Sequence, residues 1–196
     1  MKAQRILNIS LFIFIIGLLA VFTFPAYAAE NFKLDPVHTS IVFRVKHLGV
    51  AYVFGRFNGP TGSFVFDEST PSNSSVEVIV NAKNVDTAYE KRDNHLRSPD
   101  FFNIGDYPLI SFKSKSVKKL NRDTYEVSGN LTLLGKTRPI TVKAHATGSG
   151  KDPWGNFRRG FETSFSIKRS DFGMSFMMGG VSDEVNLTVS FEGIRQ

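Results

Sequence analysis

"IVFRVK", Ile41 to Lys46, decides the fold class. Ile41, Phe43 and Val45 alternate with Val42, Arg44 and Lys46, the period of a strand with one face turned inward. Moving outward, the next run carries Phe57 past Gly55 and stops at "NGPTG" (58–62), a turn cluster. "SFVFD" (63–67) is a strand carrying Phe64 and Phe66, closed by the polar loop "ESTPSNSS" (68–75). "SVEVIVNAK" (75–83) sets Val76, Val78, Val80 and Ala82 on one side. "LISFKSKSVKKL", "YEVSGNLTLLG", "RPITVKAHATG", "RRGFETSFSIKR" and "EVNLTVSFEG" repeat the pattern to the C-terminus. Eight or more strands joined by short Gly/Asn/Asp turns predict an all-β antiparallel meander. That spacing suits a sandwich or a closed barrel, and periodicity does not choose between them.

The N-terminus has a different character. Lys2 and Arg5 precede the uncharged apolar run Leu11–Phe24, followed by Pro25 and Ala26-Tyr27-Ala28. This is the order of a secretory signal peptide, with cleavage expected after Ala28. Residues 1–28 are read as the leader and 29–196 as one exported domain, with room for a real core. An uncleaved anchor is the alternative, since Ile6 to Phe24 approaches the ~20 residues of a membrane span. Losing Lys2 and Arg5 takes the formal charge from +6 to +4, and no run of like charges points to nucleic acid as a partner. The chain has no cysteine, which excludes disulfides, thiol catalysis and thiolate metal sites.

One island breaks the alternation. "RDNHLRSPDFFN" (92–103) gathers Arg92, Asp93, His95, Arg97 and Asp100 and then ends in two phenylalanines. Thr87 with Glu90 fits a capping box, and Pro99 ends or interrupts the helix. Asp100 is placed to cap a second short turn. One or two short helices are therefore predicted between strands, near residues 87–104.

Little in the chain points to catalysis or to a metal. His38 and His47 lie nine apart, so on one continuous strand they face opposite ways. His145 shares the outer parity of Thr141 and Lys143, and no HxH or HExxH spacing brings two imidazoles to one ion. There is no G-x-S-x-G elbow. Asp93, Asp100, Asp171, Asp183 and Glu184 stand in turn-like contexts that caps and surface ion pairs explain. The aromatic load is more informative. Of 19 phenylalanines, four leave with the leader and the rest serve the mature domain. Ile41, Phe43, Val45, Phe57, Val78, Val80, Phe112, Leu131, Leu133, Phe165 and Leu187 share inward parity. They form either a filled core or the wall of an apolar cavity, which a barrel of about eight strands can enclose. "GMSFMMGG" (173–180), with Met174, reads as a buried loop or a compliant cavity mouth.

Six ordered blocks, "LDPVHTSIVFRVKHLGV", "NVDTAYEKRDNHLRSPDFFN", "YPLISFKS", "GNLTLLGKTRPIT", "KRSDFGM" and "VSDEVNLTV", resemble the YceI family of bacterial periplasmic, lipocalin-like proteins from about Phe32 to Glu192. The resemblance implies an extended eight-stranded antiparallel barrel, with the helical insert over its open end. It implies binding of a polyisoprenoid, an isoprenoid quinone or a similar long amphiphile, with no other cofactor and no catalysis. Arg92, Asp93, His95 and Asp100 would then anchor the insert, and Phe101 and Phe102 would face the interior. Family members often carry Asp where this chain has Asn103, which bears on the hydrogen bonding of the cap rather than its place. Transient contact with a membrane surface and a homodimer both accord with such a role. Two rival readings make distinct demands. An enzyme acting on a bound isoprenoid needs a polar pair, such as His38 with a carboxylate, inside the cavity. A filled-core structural or interaction protein has no cavity.

Overall fold

The computed structural model describes residues 29–196, so the leader reading lies outside the described residues. In chain order the strands are β1 (Glu30–Leu34), β2 (Ser40–His47), β3 (Ala51–Phe57), β4 (Thr61–Phe66), β5 (Ser75–Asn81), β6 (Val85–Asp86), β7 (Leu109–Lys119), β8 (Thr124–Leu133), β9 (Lys136–Lys151), β10 (Phe157–Lys168) and β11 (Val181–Arg195). A single α-helix, α1 (Glu90–Arg97), lies between β6 and β7 among the described residues. None of their helices is long and apolar enough to cross a membrane.

These segments fill eight positions around a closed antiparallel ring. The first part of β11 pairs with β2, Leu187 opposite Phe43, and its end pairs with β1, Arg195 opposite Phe32. β1 and β2 are therefore two halves of one strand. β3 pairs with β2 and β4 with β1, which makes them a second position, bent between Phe57 and Thr61. Pro60 lies in that bend, where a residue without an N–H interrupts the ladder. β5 and β6 form the third position, bent at the short 3-10 turn Ala82–Asn84. β7 to β11 follow in order, and β11 closes on β1. Register thus selects the barrel over the sandwich. Closure also removes the exposed edges that invite aggregation.

The bend between β1 and β2 corrects one inference from spacing. His38 lies in the bend and β2 begins at Ser40, so no continuous strand joins His38 to His47. Their separation says nothing about relative facing.

Aromatic side chains are packed most densely against one another at one end of the barrel interior. At the base Phe32, Phe64, Phe66, Tyr125 and Phe161 are buried, with Phe157 and Phe191 packed against them. Phe32 stacks on Phe64 at 4.6 Å, and Phe161 meets Phe64 edge-on at 5.7 Å, geometries that aromatic quadrupoles favour. Gly193 makes this density possible, because a Cβ there would collide with the Phe64 ring. Higher up, the inward positions hold Ile41, Val80, Val85, Val185 and Val189 around Phe43 and Phe57. These side chains are mostly too short to meet across an eight-stranded barrel. The base is filled and the upper part is not.

In an up-and-down barrel successive connections alternate ends. One end therefore collects the β2–β3 hairpin, the α1 insert, the β8–β9 hairpin and the β10–β11 connection. Both hairpins turn on Leu-Gly: Leu48 and Gly49 have φ of 50° and 71°, and Leu134 and Gly135 have 51° and 67°. Two successive positive φ values are the type I′ pattern that matches strand twist.

Candidate functional site

The insert is held to the barrel by its charged residues. Thr87 donates its N–H (2.9 Å) and its hydroxyl (2.5 Å) to the buried Asp93 carboxylate. Arg92 donates to the Thr87 hydroxyl and carbonyl, each at 2.7 Å. This replaces the expected Thr87–Glu90 capping box: Tyr89 is the N-cap residue, with no side-chain cap bond, and Asp93 takes the Thr87 donors. Arg97 donates to the Lys83 and Val85 carbonyls at 2.8 and 3.0 Å, tying the helix to the β5–β6 bend. His95 pairs with Asp100 at 2.8 Å, so Asp100 braces the helix rather than starting a second one. Residues 98–106 are turns. Asn103 sits at φ 44°, a conformation asparagine tolerates well, and donates its side-chain amide to Asp106 at 2.9 Å.

Beneath the insert lies a cavity of about 210 Å³. All fourteen residues singled out from the sequence line it: Ile41, Phe43 and Val45 from β2, Phe57 from β3, Val78 and Val80 from β5, Phe112 from β7, Leu131 and Leu133 from β8, Phe165 from β10, Leu187 from β11, and Phe101, Phe102 and Met174 from the mouth. Leu96 of α1 packs with Phe102 against the Ile41–Phe43–Phe57 cluster, and Phe102 meets the Phe57 ring edge-on at 5.4 Å. Phe101 is buried and edge-on to His95 and Phe176 at 5.0 and 5.4 Å. The two phenylalanines thus split the work. Phe102 plugs the mouth, and Phe101 seams the insert to the Met-rich loop.

Parity also marks Ile110, Val127, Ile140, Val142, Val185 and Val189, which line the same cavity and were not singled out. Their alternation is as regular as that of their neighbours. Three polar lining residues went unforeseen, Ser111, Thr163 and Arg169. Arg169 is 2% exposed and donates to the carbonyls of Ser182 (3.0 Å), Met174 (3.1 Å) and Val181 (3.0 Å). Burial lowers its guanidinium from the ordinary value, and the nearby Asp183 carboxylate opposes that shift. It knits the 173–180 loop, whose buried Met174 faces the cavity while Phe176, Met177 and Met178 are exposed at the rim. Leu48 donates its N–H to the Gly180 carbonyl at 2.6 Å, joining the β2–β3 hairpin to the same rim.

The polar pair that an enzyme would need lies elsewhere. His38 bonds Asp35 at 2.8 Å in the β1–β2 bend, is 58% exposed and does not line the cavity. Asp35, His38 and Glu192 have ligand-type atoms close together, but Arg158 stands among them. It donates to Asp35 at 2.8 Å, to Glu192 at 2.5 Å and to Asp152 at 2.7 Å. The cation these carboxylates require is a side chain of the chain itself. Burial would raise the Asp35 carboxyl, but hydrogen bonds from His38, Arg158 and the Val37 N–H hold it well below the usual carboxylate range. Asp152 is likewise held at about 2, where bonds from Arg158 and Asn156 outweigh desolvation.

Known proteins share this arrangement. The profile of the YceI-like domain matches residues 32–193. A UPF0312 protein of Pseudomonas paraeruginosa is 48% identical over 179 residues, covering 90% of this chain and 93% of its own. The crystal structure of a Campylobacter jejuni YceI protein is similar at a TM-score of 0.70 and 31% identity, over 77% of this chain and 90% of that one. A polyisoprenoid-binding domain from Saccharophagus degradans, implicated in plant cell wall breakdown, has the same fold at a TM-score of 0.66 and 15% identity. That match covers 86% of this chain and all of that one (100%).

Proposed function

The chain belongs to the YceI family, and on that footing we propose that it binds a long-chain isoprenoid, of polyprenyl or quinone type, or a similar amphiphilic lipid in the barrel cavity, and carries or sequesters it without making or breaking a bond. The observation that carries the reading is the unfilled apolar space of about 210 Å³ under a phenylalanine plug. An apolar cavity of roughly 150 Å³ already stays dry and takes a hydrocarbon guest. The single ionisable side chain lining it among the described residues is Arg169, whose donors are engaged by carbonyls. A site so lined can hold hydrocarbon but lacks a positioned acid–base pair. The polyisoprenoid-binding neighbour supports the same ligand class on the same barrel.

The mouth suits a lipid that arrives from a membrane. Leu48, Val50, Phe54, Met177 and Met178 are exposed about the β2–β3 hairpin and the 173–180 loop. Arg44 and Lys46 stand beside them on β2. Apolar tips flanked by cations fit brief contact with an anionic bilayer surface. The leader read in residues 1–28 would put this exchange in the periplasm.

Native mass spectrometry of protein purified gently from its own host tests the proposal. The expected result is a second species, heavier by the mass of one lipid, that organic extraction removes and identifies as an isoprenoid. Protein that carries no lipid when isolated, and takes up none from added polyprenol, would overturn it.

A further inference from the structure

Thr163 does not match the wall it belongs to. On β10 it faces inward between Phe161 and Phe165, it is 7% exposed, and it lines the cavity. Three buried side-chain polar atoms among the described residues lack a hydrogen-bond partner, and the Thr163 hydroxyl is the one on the cavity. Nearby hydroxyls on the outer face are paired, as Ser164 is with Thr188 at 3.0 Å. An orphaned buried hydroxyl is destabilising, and valine would give the same shape without that cost.

Water is a poor partner at this position. A buried water needs two to four polar contacts. Besides Thr163, the polar residues lining the cavity are Ser111 and Arg169. Ser111 pairs with Thr132, whose hydroxyl bonds Thr137 on the exposed outer face, so strand parity turns the Ser111 side chain outward as well. Arg169 lies six residues farther along, roughly 20 Å at strand rise. A water at Thr163 would hold a single bond to a side chain.

We propose that the Thr163 hydroxyl anchors an uncharged oxygen, a hydroxyl or carbonyl, at the deep end of the bound lipid. This inference rests on the lipid reading and deepens it. The group must be neutral, because the residues flanking the site, Val127, Val142, Ala144, Val189 and Phe191, offer no counter-charge. An ion placed there would be desolvated and unpaired. A phosphate or carboxylate on the same ligand could be accommodated only toward the mouth. The ligand is then a chain that enters with a neutral oxygen function leading.

The test pairs one variant with two probes. Geranylgeraniol and the hydrocarbon lacking its hydroxyl are titrated against the extracted wild-type protein, Thr163→Val and Thr163→Ser. The ratio of alcohol to hydrocarbon affinity should fall about tenfold in Thr163→Val. It should be kept in Thr163→Ser, and because each ratio is taken within one variant, any general change in the cavity wall cancels. Lipid-free Thr163→Val should melt no lower than wild type, which separates the effect from misfolding. An unchanged ratio, with both probes bound, would overturn the anchor and leave the lipid reading standing. Failure of wild type to bind either probe would end both.

Discussion

Phe102 is the residue on which closure of the cavity turns. Its ring bridges the cluster of Ile41, Phe43 and Phe57 to that of Leu131, Leu133 and Phe172. Phe102→Ala removes a plug and opens the mouth at once. Stability should drop by about 3 kcal/mol, the low end for a large aromatic because the side chain is only half-buried. Release of a bound fluorescent polyprenyl analogue should also speed up. His95→Ala should cost at most about 1 kcal/mol, since its bond to Asp100 lies at the surface. Stopped-flow release and urea melts of the two variants check both. Equal release rates would show that the mouth is not closed by Phe102. The sequence displayed two adjacent aromatic residues but not their separate tasks. Those follow from the turn at 98–106, where Phe101 donates its N–H to the Ser98 carbonyl and Phe102 donates to Leu96. Thr163 was hidden for a related reason: threonine is ordinary in strands, and only the emptiness around it makes the hydroxyl unusual.

At the scale of elements, the broken strands need a clamp. The β1–β2 bend is held to β10 and β11 by Arg158, which gathers Asp35, Glu192 and the Asp152 turn. Asp35 and Asp152 are both depressed in the fold, so their stabilising contribution is complete above the ordinary carboxylate range. It is lost as pH falls below about 4, toward about 2 for Asp152 and lower for Asp35. Wild type should therefore lose stability across that window. Arg158→Met should be the weaker protein near neutral pH, where it strands the carboxylates. It should lose less on acidification, so the gap between the two should narrow. Urea midpoints at about pH 7, about pH 4 and about pH 2.5 measure it, and a constant gap would assign Arg158 to packing alone. This clamp was not legible from spacing, because Arg158 lies 123 residues from Asp35. The longer strands were legible, since each carries its own alternation, whereas β1 and the two-residue β6 were not. The three bends were not, and they decide that eleven segments make eight positions.

The molecule as a whole is a barrel with a filled base and a hollow upper half. Alternation tells inside from outside but carries no height, so the residues alone favoured a packed core and kept a lined cavity as the alternative. Register supplies the height: it stacks the phenylalanines of β1, β4, β10 and β11 at one level and sets valines and leucines above them. The central claim is that this upper space is built for a chain. Affinity across a series of isoprenoid alcohols of increasing length tests it most directly, by displacement of a fluorescent probe. Each added isoprene unit that is buried should tighten binding by between about tenfold and the roughly thousandfold ceiling set by ~0.8 kcal/mol for each of its carbons. The gain should stop once the cavity is full and further units lie in solvent. Affinity indifferent to chain length from the shortest member upward would contradict the account, because the inward side chains would then form a closed core with no room for a ligand.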